Sequence, residues 1–270
     1  MTRTGFVEAP GGRLYHEVDG SGPVVILVHA GVANLRMWDP HVAALAADHN
    51  VVRYDTRGYG RTESEHVEFS NRADLIAVMD HAGADRACLV GVSRGGQIVL
   101  DTALEHPDRV SGLVVGAGGV SGFQPTTPVA DSKMWEEAER MWLAHEWEGL
   151  SEFETRLWVD GPGQPSDRVD PQIRSLVHGW ILDNYRAEKE AGIPQPLDPP
   201  AAGRLGEVRC PTLVATASLD DPGTIQACRF LADGVAGARV EVVEGAAHMF
   251  NLEQPERFTR LVREFLGSLR

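Results

Sequence analysis

Short runs that are apolar throughout alternate along this chain with longer stretches in which apolar residues recur every three or four positions. The first kind predicts strands buried on both faces and the second predicts amphipathic helices. Their alternation predicts an α/β fold, a mostly parallel sheet flanked by helices. Gly5–Val7 and Arg13–Val18, joined by Ala9-Pro10-Gly11-Gly12, read as an opening hairpin. The run between Pro23 and His29 is apolar without a break, as a central strand should be, and Val51–Tyr54, Ala87–Val90 and Val110–Val115 repeat the pattern. Helices are predicted between them at Pro40–Asp48, at Asn71–Ala82, and after Gly95, where Ile98, Val99, Ala103 and Leu104 form an apolar stripe.

The alternation stops at about Ser121. From there to Gly203 no strand is predicted, only helical spacing at Asp131–Trp147, Glu152–Val159 and Gln172–Glu190, closed by the proline-rich joint Pro194–Pro200. It resumes with strands at Pro211–Thr216 and Arg239–Val243 and helices at Thr224–Leu231 and Pro255–Leu269. The expected organisation is therefore a core from 1–120 and 204–270 with a helical insert, a cap, at 121–203. Five of the six tryptophans lie in that insert. They can form its own small core or line a pocket beneath it, and Trp135 and Trp158 are the candidates for the pocket.

The strand at Ala87–Val90 runs into Gly91-Val92-Ser93-Arg94-Gly95, a G-x-S-x-G pattern. A serine at the tip of a tight strand-to-helix turn sits in strained backbone, and side chains two residues either side would collide. Glycines at 91 and 95 remove them, and the helix that follows points N–H groups at the serine. The pattern also fits an ordinary turn with a solvent-facing serine. What separates the two is whether a base and an acid reach the same place. Asp220 follows the strand Pro211–Thr216 by a short loop, and His248 follows Arg239–Val243 in the same way. All three lie at carboxyl ends of predicted parallel strands, where ligands bind in such sheets, in the order Ser, Asp, His.

A net charge of −14 argues against nucleic acid or an anionic membrane as partner. The three cysteines, Cys88, Cys210 and Cys228, have neither metal-ligand nor disulfide spacing, and Cys88 and Cys210 read as core thiols. No stretch suits a signal peptide or a membrane span, so a cytoplasmic protein is expected. Oligomeric state leaves no mark in the sequence.

Four segments together resemble the α/β-hydrolase superfamily, in particular its small cytoplasmic esterases and enol-lactonases. VGVSRGG (Val90–Gly96) is similar to the nucleophile elbow and LVHAGVANLRMWDP (Leu27–Pro40) to the oxyanion loop. VVRYDTRGYGRTE (Val51–Glu63) is similar to the D-x-R-G-x-G-x-S segment, and EGAAHMFNLEQPERF (Glu244–Phe258) to the histidine loop. The resemblance implies a Ser93–His248–Asp220 triad cleaving a small ester or lactone, with no metal and no cofactor. It also implies an oxyanion hole from the backbone N–H groups of Arg94 and of Gly31, with Ala30 second. Ala30, Thr62 and Ala217 depart from the usual residues, and the last leaves Asp221 as the alternative acid. Carbon–carbon hydrolysis or peracid formation on the same triad is the rival within enzymes, and a hormone-receptor-like binding protein the rival outside them.

His29 is expected to order the oxyanion loop, and Asp55 with Arg57 to form a buried structural pair. His16, His41, His49, His66, His81 and His106 are expected at the surface or at helix ends. His145 and His178 lie within reach of a pocket. The Arg94 side chain needs a partner: a protein carboxylate, backbone carbonyls, or a carboxylate on the substrate.

Overall fold

In the computed structural model, which describes residues 2–126 and 132–269, β1 (Arg3–Ala9) and β2 (Gly12–Gly20) pair antiparallel along their length. The hairpin outruns its apolar residues because main-chain pairing continues through the polar ends. The chain then forms β3 (Val24–Val28), α1 (Asp39–Leu45), β4 (Asn50–Tyr54) and two short strands, β5 (Glu63–Ser64) and β6 (Glu68–Phe69). Next come α2 (Asn71–His81), β7 (Ala87–Val92), α3 (Arg94–Glu105) and β8 (Val110–Gly116). Helices α4 (Ser132–Leu143), α5 (Trp147–Thr155) and α6 (Pro171–Ala187) lead to the short β9 (Ile193–Pro194). The chain closes with β10 (Thr212–Ala217), α7 (Pro222–Gly234), β11 (Arg239–Val243), α8 (Phe250–Glu253) and α9 (Pro255–Ser268).

The main sheet runs β1-β2-β4-β3-β7-β8-β10-β11, with β5 on β2. From β4 across to β11 every neighbouring pair is parallel. Side chains alternate between two core layers: Ile26 and Val28 enter one, Val25 and Leu27 the other, and Leu113 and Val114 divide likewise. Both faces are covered, which is why these strands read as unbroken apolar runs. Parallel pairing also carries the ends of β7, β10 and β11 to one edge of the sheet. None of the described helices is long and apolar enough to cross a membrane.

Between β8 and β10 the structure departs from expectation at several points. Asp131, the expected start of the first helix, lies outside the described residues. The stretch to Trp147 breaks after Leu143, where His145 takes φ 54° and turns the chain into α5. The helix expected at Glu152–Val159 starts five residues earlier, at Trp147, and widens into a π-helical turn at Arg156–Asp160. A strand also forms where none was expected. β9 pairs with β6 through Ile193 N–H to Val67 O (2.8 Å) and Gln195 N–H to Phe69 O (2.7 Å). Pro194 falls between the two donors, so its missing N–H is not needed. Farther on, α7 exceeds its predicted length because Asp221 caps it, accepting from Thr224 N–H at 3.0 Å, with Pro222 in the first turn.

Three histidines expected at the surface or at helix ends, His16, His41 and His49, are buried. His41 lies between α1 and α9, with Nδ1 2.8 Å from Thr259 Oγ1 and its ring against Trp38 and Phe258. Its sequence neighbours are mixed in polarity, so only the arrival of α9 encloses it. Burial lowers its pKa to about 4.

The turn between β7 and α3 leaves no room for a side chain at Gly91 or Gly95. Ser93 adopts φ 57°, ψ −122°, and its N–H donates to Gly116 O at 2.8 Å. A Cβ on Gly91 would lie 2.2 Å from Gly95 O, and one on Gly95 would lie 2.1 Å from Val28 O. Those oxygens are backbone of α3 and of β3, packed on each other, and cannot move aside. Gly95→Ala is therefore expected to lower unfolding free energy by more than about 4 kcal/mol in urea titration, or to abolish soluble expression. A second expectation concerns His41. Its folded pKa lies below its unfolded value of about 6.5, so its contribution is present above that pH and is lost as pH falls toward 4. His41→Gln should reduce the stability difference between pH 7 and pH 4 by about 3 kcal/mol, read from urea midpoints at the two pH values.

Candidate active site

Ser93 follows β7, Asp220 follows β10 and His248 follows β11, so the parallel sheet presents all three on one edge. His248 Nδ1 stands 3.0 Å from both carboxylate oxygens of Asp220, and both residues are buried. Nδ1–H donates to the carboxylate, which leaves Nε2 as the nitrogen with a free lone pair. Asp220 Oδ1 also accepts from the N–H of Asp221 at 2.7 Å. Asp221 itself is occupied as the cap of α7, so it is Asp220 that faces the imidazole.

The loop carrying His248 is held from behind by an arginine that no sequence motif marks. Arg168 donates to Val159 O and Asp160 O (both 2.8 Å) and to Gly245 O (3.0 Å), and pairs with Glu253 at 2.6 Å. Glu253 in turn accepts from Ala247 N–H at 2.8 Å. This clamp joins the π-helical turn to the histidine loop. Trp158, on that turn, lies with its ring centroid 4.6 Å from that of His248.

Ser93 and His248 open into a cavity of about 770 Å³, whose wall includes Gly31, Tyr59, Glu154 and Trp158. Trp142, Trp147 and Tyr185 complete an aromatic side. Of the two tryptophans expected at the pocket, Trp158 is there and Trp135 is not. Trp135 stands on α4, 41% exposed, edge-on to Phe153. Helical spacing alone could not say which side of α4 would meet the core. His145 lies on the exposed rim, paired with Glu188, whereas His178 is outside the cavity.

Gly31 is on the wall, and no hydrogen bond engages its N–H among the described residues. The N–H of Ala30, the second choice, is taken by Met37 Sδ at 3.1 Å. Arg94 is the first residue of α3, so its N–H has no carbonyl one turn back within the helix.

Among the described residues the Arg94 side chain meets neither a protein carboxylate nor a backbone carbonyl. Nη1 donates to Thr56 Oγ1 (2.6 Å) and Nη2 to Asn71 Oδ1 (3.3 Å), while the guanidinium lies 5.0 Å from the centre of the Tyr59 ring. No carboxylate pairs with it among the described residues. Tyr59 is on the cavity wall, and within the protein the charge is met by a hydroxyl, an amide oxygen and a ring face. The same Thr56 donates its N–H to His29 Nε2 (3.0 Å), and His29 Nδ1 is 2.7 Å from Ala30 O. Burial lowers His29 to about 3, so it is neutral and ties the loop before Gly31 to the loop after β4. Asp55 and Arg57 are both buried but do not pair. Asp55 accepts from the N–H groups of Leu35 and Arg61, and Arg57 makes a two-bond ion pair with Asp74. Spacing by two after a strand end sends the two side chains to different loops.

Among the described residues no group of three or more His, Cys, Asp or Glu could hold a metal ion.

The chain is similar to a putative carbamate hydrolase, RutD, of Azorhizobium caulinodans, at 27% identity over 95% of this chain and 96% of that protein. It is also similar to 3-oxoadipate enol-lactonase 1 of Acinetobacter baylyi, at 25% identity over 92% and 90%. Among solved structures, the enol-lactonase from Burkholderia xenovorans LB400 shares the fold with a TM-score of 0.79, at 24% identity over 97% of this chain and all of that one. The sequence profile described as the alpha/beta hydrolase family matches residues 25–261. That match includes Ser93, Asp220 and His248 and the strands that carry them, and the chain belongs to the alpha/beta hydrolase family.

Proposed function

We propose that this chain hydrolyses a small ester or lactone through an acyl-enzyme on Ser93. The observation that carries the reading is the buried Asp220–His248 pair, 3.0 Å apart, beside a serine in strained backbone on the wall of the same cavity. His248 Nε2 takes the Ser93 proton as Oγ attacks the carbonyl carbon, and Asp220 stabilises the imidazolium that forms. The N–H groups of Gly31 and Arg94 hold the oxyanion. The imidazolium then protonates the leaving oxygen, and water, activated by the same imidazole, releases the acid. Every step uses groups of this chain, so neither metal nor organic cofactor is required.

Residues 121–203 act as a cap: they supply Trp158, Glu154 and the aromatic wall, while 1–120 and 204–270 supply the chemistry. Two relatives are named as a carbamate hydrolase and an enol-lactonase, and carbamates and lactones both carry a carbonyl carbon open to such attack, which supports acyl transfer as the reaction class. The substrate is a small molecule, in keeping with a cavity of about 770 Å³.

Ser93→Ala is expected to lower kcat on an activated ester by at least about a thousandfold. Mass spectrometry of the unaltered protein should find the acyl group on Ser93. Retained turnover in that variant would overturn the mechanism, and a single slow event without turnover would favour a receptor. Asp220→Asn should lower kcat far more than Asp221→Asn, whose cost should appear in the melting temperature through loss of the α7 cap.

A further inference from the structure

Of the acids on and beside the helices between β8 and β10, Glu136, Glu139 and Asp183 face solvent, and others meet an arginine or a histidine. Glu137 and Glu146 pair with Arg140, Glu148 with Arg186, Glu152 with Arg156 and Arg174, and Glu188 with His145. Glu154 differs. It lies on α5, half-buried and on the cavity wall, and no cation pairs with it among the described residues. The Tyr185 hydroxyl is the one neighbour that eases its charge, while burial pushes the carboxyl above its ordinary value.

The nearby positive groups are committed elsewhere. Arg94 lies behind the Tyr59 ring, held by Thr56 and Asn71. Lys189 is exposed at the rim and donates to Gly60 O. Around Glu154 the wall is aromatic: Trp147 and Tyr185 stack at 5.6 Å with 17° between their planes, and Trp142 meets both edge-on at 5.4 and 5.6 Å. Ring faces carry the negative part of their quadrupole. A carboxyl without a counter-ion on an aromatic wall therefore disfavours anions and attracts cations, and low local polarity strengthens both effects.

We propose that Glu154 makes this cavity select substrates that carry an ammonium group, the cation resting against the Tyr185 and Trp147 rings with the carboxylate as its counter-ion. The proposal rests on the acyl-transfer reading for the reaction, and on the cavity wall alone for cation binding. It runs against a carboxylate-bearing substrate, which would place like charges together in an enclosed space.

The test compares butyrylcholine with 3,3-dimethylbutyl butyrate, which replaces the quaternary nitrogen by carbon at the same size. The unaltered protein is expected to favour the ammonium ester in kcat/KM by about tenfold or more, and Glu154→Gln to bring that ratio toward one. A ratio near or below one in the unaltered protein, or one unchanged in the variant, overturns the proposal. Calorimetric titration with choline reads the cation site without turnover. Choline should bind the unaltered protein and bind Glu154→Gln about tenfold more weakly; no binding to the unaltered protein also overturns the proposal. If neither ester is cleaved while choline binding depends on Glu154, the acyl-transfer reading fails and the cation site stands.

Discussion

The backbone of Ser93 is the constraint on which the rest of the structure depends. A non-glycine residue at φ 57°, ψ −122° is held there only by its surroundings. Here those surroundings are two packed strands and a helix. Its N–H is tied to Gly116 on β8, and the turn leaves so little room that Gly91 and Gly95 almost touch neighbouring backbone. The strain is affordable because β7 lies in the middle of a sheet buried on both faces, where neither strand nor helix can slide to relieve it. The same central position aims Oγ at the edge where β10 and β11 also end.

Around that turn, the charged residues act mainly as ties between loops. His29 is neutral and joins the loop after β3 to Thr56 after β4, and Thr56 also receives the Arg94 guanidinium. Asp55 collects two backbone N–H groups from separate loops, and Arg57 reaches across to α2 through Asp74. On the opposite side Arg168 joins the π-helical turn to the histidine loop. Each of these groups would cost several kcal/mol if buried without partners. Paired, they hold Gly31, Ser93 and His248 in register from both sides of the cavity.

The cavity thus has two halves of different character. The sheet edge contributes the serine, the histidine and the backbone N–H groups, all placed by main-chain geometry. The helices between β8 and β10 contribute Trp158, the stacked Trp147 and Tyr185, and Glu154, all placed by side-chain packing. The first half holds the groups to which the proposed acyl transfer is assigned. The second half sets which molecule fits beside it.

What the sequence determined by itself follows from that division. Strands buried on both faces leave unbroken apolar runs, a strained turn demands glycine on either side, and residues just past parallel strands must meet at one edge. Each is a local rule with global consequences, so the sheet, the elbow at Ser93 and the positions of Asp220 and His248 were legible. Tertiary structure decided what depends on which way a helix faces. Trp135 and Trp158 occur in equally helical sequence, yet only Trp158, on the π-helical turn beside His248, reaches the cavity. His41 is enclosed only when α9 packs over it, and Arg94 finds Thr56 and Asn71 some 38 and 23 residues away along the chain. Glu154 carries no local mark of its setting, which depends on Tyr185 from α6 as well as on Trp147 of its own helix. Periodicity records that a face is apolar, and only packing records what that face meets.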